Sequence, residues 1–136
     1  MKHIIVGTWE LVSYFTEELA TEKRTALLNE HAKGYLIYTL EGRMVMLAVH
    51  ETRSSAKTDA DSIDLHKNMF AYSGRYTIEG KKITHHVDIS SNEAWTGDLV
   101  RYFNLVGDVL TIKTAPSKNM ITGKESVSTL VWERER

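Results

Sequence analysis

The stretch Leu99–Val106, Gly107-Asp108, Val109–Thr114 restricts the fold of this chain more than any other. Two runs of alternating apolar and polar residues flank a Gly-containing pair, which is the pattern of a tight β-hairpin. A two-residue loop there pairs Val106 with Val109, Leu105 with Leu110, Phe103 with Ile112 and Arg101 with Thr114. Side chains alternate faces along a strand, so Leu105, Leu110, Phe103 and Ile112 share one face. Tyr102, Asn104, Thr111 and Lys113 share the other. The first is the core face, and Arg101 falls on it.

The same reasoning applies around Gly80. Either choice of loop, Glu79-Gly80 or Gly80-Lys81, puts Tyr76 and Ile78 on one face with Ile83, His85, Val87 and Ile89. Arg75, Thr77, Glu79, Lys82, Thr84, His86 and Asp88 take the opposite face. His85 is therefore expected inward and His86 outward. If the two hairpins are neighbours, Tyr76, His85 and Arg101 converge on a polar patch inside an apolar interior. A buried guanidinium demands a partner, and a ligand's polar group would supply one. Two plainer readings stand beside this one. An inward His also fits a core histidine with its hydrogen bonds satisfied. An inward Arg near a strand end can reach solvent or pair with Asp98 or Glu93.

The rest of the chain continues in the same style. Val, Ile and Thr number 33, about a quarter of the 136 residues, against one proline, Pro116. Such branched side chains suit a pleated surface better than a helix. Thr8–Phe15 reads as a first strand with Trp9, Leu11, Ser13 and Phe15 inward. Residues 17–33 are charged and weakly patterned, with an extended piece at Thr25–Leu28. Gly34–Leu40 and Arg43–Val49 flank Glu41-Gly42 as a further hairpin, but both of its faces are apolar, so periodicity does not choose the inner one. Thr58 and Asp61 have capping-box spacing, with Asp in place of Glu or Gln. Ile63, His66, Met69 and Phe70 then recur at helical spacing as far as Tyr72, and this one helix either plugs a barrel end or packs outside. Val127–Glu133 closes the chain after a polar loop, for seven or eight strands in all.

Composition narrows the partners. The length suits one domain over residues 1–136. A net charge of −1 provides no basic field for nucleic acid or an anionic membrane. No apolar run approaches the roughly 18 to 20 residues of a membrane-spanning helix. The absence of cysteine removes disulfides and thiolate chemistry. No secretory leader is evident, so a cytoplasmic location is expected. No phosphate loop or nucleophile elbow is present. His85 and His86 diverge across a strand, while His31, His50 and His66 are far apart, so no metal site and no cofactor are expected.

Several blocks, in order, carry a family resemblance. They are Gly7-Thr8-Trp9-Glu10-Leu11-Val12-Ser13, Lys33-Gly34-Tyr35-Leu36-Ile37-Tyr38, Gly42-Arg43-Met44, Ser73-Gly74-Arg75-Tyr76-Thr77, Thr84-His85-His86-Val87 and Leu130-Val131-Trp132-Glu133-Arg134. Together they resemble the bacterial and fungal lipocalin-like domain family of calycin-type barrels. The resemblance implies an all-β fold: an antiparallel barrel of about eight strands, here with one short helix. It also implies barrel closure by Trp9 with Arg134 lying across it. One departure is Ser91–Gly97, which lacks the Asn-Pro segment that usually precedes the Trp.

Three functional expectations follow. The first is a binding module for one small hydrophobic or amphipathic ligand, its polar head directed at Arg101, His85 and Tyr76, with Phe103 in the wall. The second is a cofactor-free cyclase, isomerase or hydrolase using His85 as acid–base and Arg101 as oxyanion stabiliser. The third is a structural homodimer with a filled barrel, anchored by Trp95 or Tyr38.

Overall fold

The hairpins at Gly80 and Gly107 form with the registers their short loops dictate, and the sheet extends from them on both sides. β5 (Met69–Glu79) pairs with β6 (Lys82–Ser90), placing Tyr76 opposite His85 and Ile78 opposite Ile83. β7 (Gly97–Val106) pairs with β8 (Val109–Thr114), placing Phe103 opposite Ile112 and Arg101 opposite Thr114. Both turn glycines have φ of 60°, a left-handed conformation that costs a residue without Cβ nothing. The computed structural model describes residues 3–22, 24–26, 32–50, 53–118 and 124–135.

The other strands are β1 (Gly7–Glu18), β2 (Arg24–Ala26), β3 (Ala32–Tyr38), β4 (Arg43–His50), β9 (Ser117–Lys118) and β10 (Glu125–Arg134). Every pairing is antiparallel. The order β1-β3-β4-β5-β6-β7-β8-β10 returns to its start because β10 also pairs with β1. Eight long strands thus close a barrel, as expected, which removes the exposed edges of an open sheet. β2 and β9 are short additions beside β1 and β10. β2 covers part of the extended piece anticipated at Thr25–Leu28; Leu27 and Leu28 lie outside the described residues, as does His31.

Barrel closure decides the face that periodicity left open in the β3–β4 hairpin. Leu36, Tyr38, Met44, Met46 and Ala48 point inward and are buried, while Val45 and Leu47 stay 38% and 45% exposed. Tyr38 is therefore a core residue and cannot anchor a subunit interface.

Two β-bulges break the period of two, and each overturns a sequence expectation. The β1–β10 register steps from Leu11↔Trp132 to Ser13↔Val131, leaving Val12 as the extra residue. Beyond it Tyr14 and Thr16 take the inward phase, not Ser13 and Phe15. Phe15 instead lies under the Arg24 guanidinium, 4.6 Å from its ring centre. In β6 the register steps from Gly74↔Val87 to Ser73↔Ile89, so Asp88 is the extra residue. Ile89 is turned outward to 66% exposure.

The helix is shorter and more exposed than its spacing predicts. α1 (Asp59–Lys67) begins with the capping box, Thr58 accepting from the Asp61 N–H while the Asp61 carboxylate accepts from the Thr58 N–H. It stops at Lys67, and Met69–Tyr72 already belong to β5. No α1 residue is buried, so the helix neither plugs nor lids the barrel. Within Asp59–Lys67 only Ala60, Ile63 and Leu65 are apolar, too few for a stripe that a barrel wall could bury.

One barrel end is sealed. The turns after β3, β5 and β7 lie there, together with the N-terminal segment and the end of β10. The buried Ile5 accepts from the Trp9 indole N–H at 2.9 Å. The Arg134 guanidinium lies 4.3 Å from the Trp9 ring centre and donates to the Val6 and Ile4 carbonyls at 3.2 and 2.8 Å. Such a contact joins cation–π attraction to capping of free carbonyls.

Gly74 sits where β5 meets the bulge. A Cβ there would collide with the His86 carbonyl and lie 2.7 Å from Val87 Cα. All three of these nearest atoms are backbone of β6, so nothing flexible can yield. The Gly74→Ala variant is expected to lose about 2 to 3 kcal/mol of stability. Urea unfolding followed by far-ultraviolet circular dichroism checks this. A midpoint equal to wild type would contradict the close approach.

Candidate functional site

The polar groups inside the barrel form one connected chain. His85 on β6 is 2% exposed and touches two tyrosines. Its Nε2 is 2.7 Å from the Tyr38 hydroxyl, and its Nδ1 is 3.3 Å from the Tyr72 hydroxyl. Burial dominates its acidity, and electrostatic repulsion from the Arg101 and His86 side chains adds to the effect, so its pKa falls from 6.5 to about 3. The ring is neutral at physiological pH, with one donor and one acceptor nitrogen.

The tautomer follows from satisfying the buried partners. Among the described residues the Tyr38 hydroxyl has only His85 as a hydrogen-bond partner. Unless Tyr38 donates to Nε2, its own proton is stranded in the core. The Nδ1–H then donates to the Tyr72 oxygen. The positive charge of Arg101 opposes the rise in the Tyr72 pKa that burial causes. With its oxygen accepting from the imidazole, the Tyr72 O–H is left to donate elsewhere. Burial likewise raises the Tyr14 and Tyr38 hydroxyls well above their usual value, so both stay protonated.

Above this chain lies a cavity of about 80 Å³. Arg101 and Thr114 supply its polar lining, and Met46, Leu99 and Leu130 its aliphatic wall. Four aromatic residues complete it: Tyr14, Phe70, Tyr72 and Trp95. Phe70 stacks on Trp95 with ring centres 5.1 Å apart, and Tyr14 leans on Phe70 at 5.4 Å. Arg101 donates to the Val100 carbonyl at 3.2 Å and has no carboxylate partner among the described residues. The two carboxylates that sequence proximity offered are engaged elsewhere. Asp98 binds His86 at 2.7 Å on the outer surface, and Glu93 accepts from the Thr96 hydroxyl at 3.3 Å. No group of three metal-ligating side chains occurs among the described residues.

The structure brings some of the anticipated residues together and separates others. Arg101 lines the cavity. His85 lies one layer below it, behind Tyr72. Tyr76 packs edge-on against Tyr38 at 4.9 Å, but its hydroxyl is bound to the Thr39 carbonyl at 2.7 Å. Phe103 faces inward at the sealed end, against His3 and beneath Lys81, and does not line this cavity. Sequence reasoning missed Tyr14, Phe70 and Tyr72. Tyr14 was lost to the Val12 bulge, whose only local trace is the polar Ser13 where a core residue was due. Phe70 and Tyr72 continue the helical spacing read from Ile63, although their spacing of two also fits the strand they form.

An eight-stranded antiparallel barrel, sealed at one end and with a small polar-and-aromatic cavity toward the other, has the architecture of a lipocalin-like protein. The profile of the lipocalin-like domain family matches residues 6–135, and the chain belongs to that family. Comparison with curated proteins gave no match. No helix among the described residues is long and apolar enough to cross a membrane.

The neutral His85 makes stability depend on pH. Its folded pKa lies below its unfolded one, so between about pH 6.5 and 3 the unfolded chain binds the extra proton. Stability is thus full above that window and falls on acidification, by at most roughly 5 kcal/mol from this group. Urea midpoints measured from pH 7 to pH 4 are expected to fall more steeply for wild type than for His85→Gln. Parallel slopes would exclude a neutral buried imidazole.

Proposed function

We propose that the barrel binds one small, largely apolar molecule whose polar or anionic head meets Arg101. The observation that carries this reading is the half-buried Arg101 guanidinium, which faces an aromatic cavity with no carboxylate beside it among the described residues. A desolvated cation without a counter-charge is costly, and an entering acceptor would relieve that cost. The Tyr72 O–H points the same way, since it adds a donor beside the cation. Donors without competing anions suit an anionic head and repel a cationic one.

The other anticipated residues support the cavity from behind. His85 orients Tyr72 through its Nδ1–H, Tyr76 braces Tyr38, and Phe103 fills the sealed end. A catalytic reading based on His85 has less support. Its two nitrogens are both occupied, its pKa of about 3 leaves it a weak base, and Tyr72 stands between it and the cavity.

The test is incubation of wild type and Arg101→Gln with a pooled extract of small organic acids and amphiphiles, followed by native mass spectrometry. Wild type is expected to retain an acid-bearing species. Arg101→Gln is expected to bind the same species at least about tenfold more weakly, equivalent to about 1.4 kcal/mol. Equal retention by both proteins, or by neither, would remove Arg101 from the reading.

A further inference from the structure

Trp95 is unlike the other two tryptophans. Trp9 and Trp132 are buried at 0% and 1% exposure, whereas Trp95 is half-buried and lines the cavity. It rides on a 3-10 turn of three residues, Glu93–Trp95. Among the described residues the hydrogen bonds of that turn are local: the Asn92 side-chain oxygen accepts from the Ala94 N–H at 3.0 Å, the Thr96 hydroxyl donates to Glu93 at 3.3 Å, and the Trp95 and Thr96 N–H groups donate to the Asn92 and Glu93 carbonyls. The indole N–H makes no hydrogen bond among the described residues. Yet the ring itself is well seated. Phe70 stacks on it with planes 19° apart, and Tyr72 meets it edge-on at 6.4 Å and 67°.

The cavity beneath is too small for a ring while Trp95 is in place. A dry apolar void of about 150 Å³ in a protein interior takes up one benzene molecule, and this one has about 80 Å³. The aromatic seat against Phe70 and Tyr72 is therefore filled by the protein's own side chain, in the same cavity as a guanidinium that has no carboxylate partner among the described residues.

We propose that Trp95 is an internal plug, and that the ligand displacing it is a flat aromatic monocarboxylate. The ligand ring takes the indole's place against Phe70 and Tyr72, and its carboxylate descends to Arg101. This rests on the binding reading above and assigns its ligand class. The seat favours a ring over an alkyl chain because it offers one π face and one ring edge, the two geometries aromatic pairs prefer. The guanidinium favours a carboxylate because its planar fork matches the two oxygens. Displacement is feasible because the turn carrying Trp95 is tied to the barrel by few contacts of its own.

The test titrates the protein, labelled with 5-fluorotryptophan, with 2-naphthoate, decanoate and 2-naphthalenemethanol, using calorimetry and fluorine NMR. 2-Naphthoate is expected to bind at least tenfold more tightly than the other two. It should shift the Trp95 resonance and leave those of Trp9 and Trp132 in place. Trp95→Ala, which removes the plug, is expected to bind 2-naphthoate at least fivefold more tightly. Decanoate binding as tightly as 2-naphthoate, with the Trp95 resonance unmoved, overturns the plug and the ligand class but leaves the binding reading standing. Weaker 2-naphthoate binding by Trp95→Ala makes Trp95 a wall of the site and overturns the plug. Binding of none of the three probes by wild type or by Trp95→Ala overturns both the inference and the binding reading.

Discussion

The hydrogen-bonded chain Tyr38–His85–Tyr72 organises the interior of this barrel. Below it the space is filled by Trp9, Leu36, Met44, Ile83 and Leu110, all buried at 1% exposure or less. Above it the lining becomes aromatic and polar and a cavity opens. A polar chain at this depth is tolerated because both imidazole nitrogens and the Tyr38 hydroxyl are satisfied, and that requirement fixes the imidazole as neutral and sets its tautomer. The fixed tautomer in turn leaves the Tyr72 proton available beside Arg101. A packing constraint in the core thus determines the electrostatic character of the site above it.

The same division places stability and binding in different parts of one small domain. The sealed end joins both termini of the barrel: Arg134 covers Trp9 and ties the last strand to the segment preceding the first. The Trp95 side carries the loosely anchored turn and an incompletely filled interior. Partial filling follows from geometry, because an eight-stranded barrel is just wide enough for side chains to occupy its core or for one small ligand to replace some of them. Here bulky aromatic side chains leave room for little more than two or three waters, taking about 30 Å³ for each.

Much of this was legible in the residues. The registers of the hairpins at Gly80 and Gly107 follow from their loops, and with them the inward phases of His85 and Arg101. The helix N-terminus was legible for the same reason, since Thr58 and Asp61 interact within one turn. Sequence reasoning failed where an extra residue enters a strand. The bulges at Val12 and Asp88 reverse the inward phase, bringing Tyr14 in and turning Ile89 out. Nothing in the local pattern at Val12 or Asp88 requires a bulge; barrel curvature does. Residues 69–72 failed differently: an apolar residue at every second place also satisfied a helical spacing when read from Ile63, and only pairing with β4 decides for the strand.

Sequence alone therefore determined the class of fold, the hairpin pairings and the presence of an arginine in phase with the core. Those features depend on interactions between residues close along the chain, where alternation and turn geometry leave few choices. Tertiary structure alone decided which side of the β3–β4 hairpin faces inward, which aromatic residues meet Arg101, and that Asp98 is committed to His86 instead. The first two are set by strands brought together through closure of β10 onto β1, a contact between the two ends of the chain that no local pattern encodes. The third is set by the β6–β7 register, which places Asp98 opposite His86 across a connection too long for turn geometry to fix.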